Sequence, residues 1–178
     1  MQISGLLVTL FSLIISANAA AVITKRAAPN VQTCITNLAT VGDRLSTLQG
    51  SVTEGGLLNV NHDYNALDDA MDDAQLNCCA ITGVISDADA SEVLNTLGNI
   101  TPTVVNALDT IKSKENTYSF VSKIFIRGHL NTFDDKSSSL NTCFSVFIPT
   151  SNASTLDGYF NRIKAAFTTT KAAYNHLF

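Results

Sequence analysis

Apolar residues recur at intervals of three and four positions along most of this chain, and this spacing constrains the fold more strongly than any other feature. Steps of three and four place side chains on one face of an α-helix. Strand-like alternation is scarce by comparison, so an all-α fold is predicted. The most regular stretch covers residues 57–82, where the apolar positions are Val60, Tyr64, Leu67, Met71, Ala74, Cys78 and Ile81.

The same pattern predicts about five amphipathic helices, at residues 31–49, 57–82, 86–111, 117–148 and from 156 onward. The first helix is expected to be broken by Gly50 and the Gly55-Gly56 pair, the second to end at Gly83 and the fourth at Pro149. Pro102 lies inside the third apolar pattern and predicts a kink or a break near residues 99–101. Because the connections are short, the helices should form an antiparallel up-down bundle.

The N-terminal segment predicts secretion. Residues 1–19 form an apolar run that ends in the small-residue pattern read by signal peptidase, with cleavage after Ala19. Residues 20–26 then form a short propeptide that ends in Lys25-Arg26, which resembles a fungal dibasic processing site; a chance basic pair is the alternative. Residues 27–178 remain as a single helical-bundle domain, long enough for its own core. No transmembrane or glycolipid anchor is expected, so the protein should be extracellular or held in the cell wall.

Charge and glycosylation signals are consistent with that compartment. Without Lys25 and Arg26, 9 of the 11 basic residues remain against 15 acidic ones, a formal charge of −6. A chain with this charge and no basic block is not expected to bind nucleic acid. Asn99 and Asn152 lie in Asn-x-Ser/Thr patterns and are the predicted glycosylation sites.

The four cysteines, Cys34, Cys78, Cys79 and Cys143, predict two disulfides, as is usual in a secreted chain. In an up-down bundle all four fall in one layer at one end, because Cys34 opens the first helix and the others close the second and fourth. Two pairings remain open, 34–78 with 79–143 and 34–79 with 78–143, since the third needs a bond between adjacent cysteines. A metal or redox site is disfavoured because neighbouring helical side chains diverge by about 100°.

No arrangement for catalysis is evident in the sequence. The chain lacks the serine-hydrolase elbow, the zinc-protease helix motif and a glycine-rich phosphate loop. His129 could line the interior of the fourth helix, but an exposed or hydrogen-bonded ring is the favoured interpretation. The acidic run at residues 68–73 is interpreted as a solvated helix face, because it lacks the loop and glycine of a calcium site. The chain is therefore predicted not to be an enzyme and to require no metal or other cofactor.

Bulky and small side chains are distributed unevenly over the predicted interior. Phenylalanines concentrate in the second half of the chain, whereas the stripes they would face carry smaller residues. Ser137 and Thr170 interrupt two otherwise apolar stripes. Either these hydroxyls bond back to helix carbonyls in a filled core, or they receive the polar head of a ligand in an axial cavity. The predicted ligand-binding residues are Tyr64, Met71, Phe133, Ser137, Phe144, Phe167 and Thr170.

Several stretches are similar to one known family. They are "LATVGDRLSTLQGSV", "NHDYNALDDAMDDA", "LNTLGNITPTVVNALDTIKSK" around Pro102, and a Phe-rich helix ending "FSVFIPTSNA". Together they resemble the fungal hydrophobic surface binding protein A family, also called cell wall galactomannoproteins. The resemblance implies a secreted all-helical domain that adsorbs to hydrophobic surfaces, and some relatives bind fatty acids within the bundle. The four cysteines are a departure from simpler members of the family.

Two functional hypotheses follow from the sequence. The first is a non-catalytic binding protein that holds a fatty acid or similar lipid. The second is a surface-active cell-wall protein that adsorbs to hydrophobic surfaces and recruits secreted hydrolases. A structural wall mannoprotein or antigen, in contact with cell-wall polysaccharide, is a further alternative.

Overall fold

The computed structural model describes residues 28–175, and these residues are almost entirely helical. Two 3₁₀ turns, Glu115–Thr117 and Thr150–Asn152, precede the last two helices, and the described part of the chain contains no strand. The prediction of an all-α fold with five helices is confirmed. The signal peptide and propeptide, with Ala19, Lys25 and Arg26, lie outside the described residues. The helices are α1 (Pro29–Glu54), α2 (Leu57–Cys78), α3 (Asp87–Ser113), α4 (Phe120–Phe147) and α5 (Ala153–Ala173).

Two helix ends differ from the sequence prediction. Helix α1 continues through Gly50 and ends at Glu54, before the predicted break at Gly55-Gly56; the C-cap residue Gly55 has a positive φ of 87°. One interior glycine costs a helix only about 1 kcal/mol, and burial of Val52, beyond Gly50, favours the extra turn. Helix α2 ends at Cys78, four residues before the predicted end, because the chain turns there, with the Ile81 N–H donating to the Cys78 carbonyl.

Helix α3 is continuous through Pro102, so of the predicted kink or break, the break is wrong. A proline removes one backbone donor and crowds the carbonyl four residues earlier. Here its ring lies on the exposed side of the helix, while the neighbouring Thr101 hydroxyl donates to the Leu97 carbonyl at 2.7 Å. Buried Ile100 and Val104 on either side keep the helix packed, and this burial exceeds the local cost of the proline.

The five helices form a closed ring around one apolar core. Each packs on two neighbours, in the spatial order α1, α2, α4, α5, α3 and back to α1. Consecutive helices run in opposite directions, so α2 and α4, which are neighbours in space, are parallel. Lys136 of α4 donates to the Asp68 carboxylate of α2 at 2.6 Å. Helices α3 and α5 are also parallel, and the Tyr174 hydroxyl donates to the Ile111 carbonyl at 2.8 Å near their C-terminal ends. A ring of this kind encloses an interior that all five helices line.

Two disulfides close one end of the ring. Cys34 bonds to Cys78 and joins α1 to α2, while Cys79 bonds to Cys143 and joins the end of α2 to α4. Of the two pairings left open by the sequence, the structure has 34–78 with 79–143. Cys34 and Cys78 are fully buried, whereas Cys79 is exposed. The opposite end of the ring has no covalent cross-link within residues 28–175.

Replacing Cys79 and Cys143 by serine should lower the free energy of unfolding by about 4 kcal/mol, because the bridge closes a loop of 64 residues. The Cys34→Ser/Cys78→Ser variant should lose more, since it also leaves two hydroxyls in a fully buried site. Chemical denaturation under oxidising conditions measures both values. An equal or smaller loss from the buried pair would contradict the assignment of that bridge to the core.

Candidate functional site

A central cavity lies between the five helices. Its volume is about 70 Å³, measured as the space that the centre of a water molecule can occupy. Its wall is apolar apart from Ser137, and each helix contributes to it. Representative residues, in order from α1 to α5, are Leu38, Met71, Leu108, Phe144 and Phe167.

Aromatic rings close the central cavity towards the disulfide end. Phe144 and Phe147 are fully buried and meet edge to face, with ring centroids 5.3 Å apart. Phe160 of α5 approaches Phe144 from the other side at 5.9 Å. Such rings are rigid, planar and well packed, so this end of the cavity has little capacity to change its shape.

A second, smaller cavity lies towards the end of the ring without disulfides, and is called the end cavity below. It offers about 30 Å³ on the same measure, and Leu48, Ile111 and Phe133 line both cavities. Val52, Val60, Ile126 and Leu130 also line it. Because the two cavities share three lining side chains, they are neighbouring parts of one interior.

Three side chains that carry polar atoms line the end cavity with their apolar ring surfaces. They are Tyr64, Tyr118 and His129. The His129 ring is stacked on Tyr64 and meets the edge of Phe125, whose centroid lies 4.0 Å away. Burial lowers the pKa of His129 to about 4, and the nearby Asp68 carboxylate opposes this only partly. The imidazole is therefore neutral at neutral pH.

Two polar atoms of residues beside the end cavity have no hydrogen-bond partner among the described residues. They are the Tyr118 hydroxyl oxygen and Nε2 of His129. More than nine in ten buried polar groups in folded proteins are hydrogen-bonded, so these two atoms are exceptions. The surface of the end cavity is formed by apolar atoms only, so neither polar atom faces that space.

A polar groove runs along the outside of the ring between α4 and α5. Asp134, Asn141 and Lys164 line it, and it offers about 270 Å³ open to solvent. Ser137 and Phe160 line both this groove and the central cavity. Ser137 is therefore part of the thin wall that separates the apolar interior from water.

The structure brings most of the predicted ligand-binding residues together. Met71, Phe133, Ser137, Phe144 and Phe167 line the central cavity. Tyr64 lines the end cavity. Thr170 lies apart from both: its side chain is fully buried, and its hydroxyl donates to the Leu108 carbonyl at 3.2 Å.

Sequence reasoning did not select the polar side chains that line the end cavity. An exposed or hydrogen-bonded ring was the favoured interpretation of His129, yet Nε2 is buried without a partner. Its spacing of four residues from both Phe125 and Phe133 was the available signal, because it places His129 beside the apolar stripe of α4. Tyr118 precedes α4 in a non-helical connection, where the periodic pattern gives no information.

The acidic run of α2 is structural. Asp68 and Asp72 both pair with Lys136 of α4 at 2.6 Å, and Asp69 and Asp73 are exposed. Within residues 28–175, no group of histidine, cysteine, aspartate and glutamate side chains is arranged to hold a metal ion. None of the helices in this range is sufficiently long and apolar to span a membrane.

Comparison with known families gives a decisive match. The sequence model of the hydrophobic surface binding protein A family matches residues 31–145. The chain belongs to the hydrophobic surface binding protein A family. That family is one of secreted surface-binding proteins, and its matched region includes α1 to α3 and most of α4.

Solved structures of similar fold extend the comparison. Afmp4p in complex with palmitic acid has a TM-score of 0.75 and 24% identity, over 82% of this chain and 99% of that one. Ligand binding domain 1 of the Penicillium marneffei MP1 protein, complexed with arachidonic acids, has a TM-score of 0.74 and 13% identity, over 82% and 99%. Domain 2 of the same protein has a TM-score of 0.76 and 12% identity, over 85% and 98%. A comparison with curated proteins finds no match.

The low pKa of His129 makes stability depend on pH. In the unfolded chain this imidazole binds a proton below about pH 6.5, whereas in the folded protein it does so only below about pH 4. Stability from a neutral His129 is therefore complete above pH 6.5 and is lost as the pH falls towards 4. The wild-type melting temperature should fall more steeply than that of His129→Phe across this interval, measured by circular dichroism. Parallel curves would contradict the burial of a neutral imidazole.

Proposed function

We propose that this protein is a secreted, non-catalytic carrier that holds a fatty acid or a similar single-chain lipid inside its helical ring. The observation that carries the proposal is the apolar cavity enclosed by all five helices, continued by the end cavity. A helix of about 20 residues is about 30 Å long, so the interior is long enough for an extended C16–C20 chain. The fatty acids bound by Afmp4p and the MP1 domains are the class of ligand that this geometry favours.

Occupation by such a chain requires the interior to widen. The central and end cavities offer about 70 and 30 Å³, whereas ligand sites usually reach several hundred Å³. The disulfides restrain only one end of the ring, so the helices can separate at the other end. Flexible side chains such as Met71 can also move aside, because an unbranched thioether has several accessible rotamers.

The hydrophobic effect supplies enough free energy for this change. Burying one methylene group is worth about 0.8 kcal/mol, so a C16 chain gains on the order of 10 kcal/mol before costs. Separating packed helices and immobilising the ligand subtract from that gain. The remainder is sufficient for a reversible carrier, and an unbranched chain suits a narrow interior better than a bulky ring system.

The proposed function includes secretion of the protein. Cleavage after Ala19 and Lys25-Arg26 would release the domain to the extracellular space or the cell wall, where its disulfides are stable. Asn99 is exposed on α3 and is accessible for a glycan. Asn152 lies in the 3₁₀ turn before α5 and is half-buried. In that compartment the protein would take up fatty acids released outside the cell and keep them in solution.

Filling the central cavity should abolish uptake without unfolding the protein. Ala107 is buried in α3 and lines the cavity. Ala107→Leu should weaken palmitic acid binding by about tenfold or more, since it adds the volume of about three methylene groups to the cavity wall. Displacement of a fluorescent fatty acid measures the affinity, and native mass spectrometry measures occupancy.

The matched control for this test is Ala165→Leu, which adds the same atoms on the exposed face of α5. Its affinity should equal that of the wild type. Equal binding by Ala107→Leu and wild type would show that the acyl chain does not enter the central cavity. Circular dichroism establishes that both variants are folded.

Adsorption to hydrophobic surfaces is a second candidate function, favoured by a specific surface feature. The first turns of α4 expose four apolar side chains, Phe120, Val121, Ile124 and Phe125, called the α4 patch. Val121 is 74% and Ile124 48% exposed. Contiguous exposed apolar residues commonly mark interaction sites. This patch would contact an apolar solid directly, whereas wall polysaccharides or hydrolases as partners rest on the family resemblance alone.

Charging the α4 patch should reduce adsorption. Val121→Asp/Ile124→Asp should lower the apparent affinity for polyester or polystyrene beads by about tenfold. Each substitution removes apolar surface whose transfer from water to the solid is favourable. The control, Leu76→Asp/Val146→Asp, alters two exposed apolar residues elsewhere on the ring. Equal losses in both variants would contradict a specific role for the α4 patch.

A further inference from the structure

We propose that residues 120–128 of α4 are a portal through which the fatty acid enters and leaves the ring, and that this portal opens against an anionic lipid surface. The α4 patch and the basic side chains beside it bind that surface. The inference rests on the proposed function and specifies it, because it names the place and the partner at which the carrier is loaded and unloaded.

The portal lies directly over the end cavity. Ile126 and Leu130 line that cavity from the buried face of α4, whereas Val121 and Ile124 of the α4 patch are exposed on the outer face. One helix, about 10 Å thick, therefore separates the patch from the interior. The disulfide of α4 is at Cys143, near the other end of the helix. An outward movement of the first turns would open the interior at the patch.

The two halves of α4 are attached to the ring by different contacts. In the second half, ion pairs join it to both neighbouring helices, through Asp134 to α5 and through Lys136 to α2. In the first half, Lys123 pairs with Glu115 of the preceding 3₁₀ turn. Among the described residues, no ion pair joins the first half to α2 or α5, so it can move without breaking one.

A glycine lies at the boundary between these halves. Gly128 is exposed, and a Cβ atom added to it would meet no neighbouring atom within 4 Å. Close packing therefore does not require a glycine at this position. Because glycine in a helix interior is less stable than alanine, α4 is locally weakened where the first turns would have to bend away from the rest.

The charge around the α4 patch favours an anionic partner. Residues 110–127 contain one acidic side chain and four basic ones, although the whole chain has a formal charge of −4. The basic residues are Lys112, Lys114, Lys123 and Arg127. Arg127 follows Ile124 by three positions and therefore lies beside it on the helix surface. Apolar side chains flanked by lysine and arginine are typical of helices that bind anionic lipid surfaces.

The disulfide end lacks this combination. Leu76 and Val146 are exposed apolar side chains there, but residues 74–92 and 137–161 contain no lysine or arginine. An uncharged solid would not distinguish the two ends by charge, whereas an anionic lipid surface would select the α4 patch.

A lipid surface also removes a cost of opening. In water, movement of the first turns would expose Ile126 and Leu130, whose hydration is unfavourable. Against a lipid surface these side chains meet acyl chains, which are as apolar as leucine. The surface therefore lowers the barrier to transfer, and the acyl chain passes between protein and lipid without entering water.

The test measures the transfer of a fluorescent fatty acid from the protein to vesicles. Transfer on contact gives a rate that rises in proportion to vesicle concentration, whereas release into water gives a rate independent of it. For the wild type the rate should rise in this way. It should also be about tenfold higher for phosphatidylcholine vesicles that contain phosphatidylserine than for phosphatidylcholine alone.

Two pairs of variants locate the effect. Lys112→Gln/Arg127→Gln should lose most of the preference for phosphatidylserine, whereas the control Arg162→Gln/Lys164→Gln, which removes the same charges from exposed positions of α5, should keep it. None of these four side chains lines either cavity, so the affinity for palmitic acid should be unchanged.

Gly128→Ala should slow transfer by about fivefold, because alanine stiffens the helix. Gly158→Ala, at a position of α5 that also has open space, should transfer at the wild-type rate.

A tryptophan reporter shows which end meets the lipid, since the chain contains no tryptophan of its own. The emission of Val121→Trp should shift to shorter wavelength when phosphatidylserine vesicles are added. Leu76→Trp, at a similarly exposed position of the disulfide end, should not change.

The contrary results have separate meanings. A transfer rate independent of vesicle concentration, or equal rates for the two kinds of vesicle, would overturn the anionic lipid surface as the partner. Equal rates in Gly128→Ala and Gly158→Ala, or an emission shift in Leu76→Trp alone, would overturn the portal in α4. Failure of the wild type to bind the fatty acid in solution would contradict the proposed function itself.

Discussion

The two disulfides at one end of the helical ring are the constraint on which the rest of the structure depends. They join α1, α2 and α4 within one layer, beside which Phe144 and Phe147 are packed without exposed surface. The other end lacks a disulfide and is held by the α1–α2 and α3–α4 connections and by contacts such as the hydrogen bond from the Tyr174 hydroxyl to the Ile111 carbonyl. The ring is therefore cross-linked at one end only, and the end cavity lies towards the other end.

The interior polar groups become intelligible in terms of that asymmetry. A buried hydroxyl or imidazole without a partner destabilises a fold by about 1–3 kcal/mol, so a chain selected for stability alone would satisfy or remove it. Thr170 and Tyr174 follow this rule, because each donates to a carbonyl of α3. The Tyr118 hydroxyl and Nε2 of His129 have no partner among the described residues, and both residues lie towards the end of the ring without disulfides.

Periodicity and cysteine positions predicted much of the fold but less of the site. The apolar positions predicted for residues 57–82 are all buried in the structure, because helix burial is determined by local spacing. Gly50 does not end α1 and Pro102 does not break α3, since tertiary burial of Val52, Ile100 and Val104 outweighs local helix propensity. The choice between disulfide pairings, and the place of Tyr118 and His129 beside one cavity, depend on how helices meet in space. No single-helix pattern contains that information.

The most direct test of the central claim, that an acyl chain occupies the apolar interior of the ring, is a crystal structure of the protein grown with palmitic acid. The account predicts continuous density in the central cavity, between Phe133 and the rings of Phe144 and Phe160. It also predicts helices separated at the end without disulfides and unchanged at the disulfide end. Density confined to the outer groove, or a central cavity without density, would contradict it.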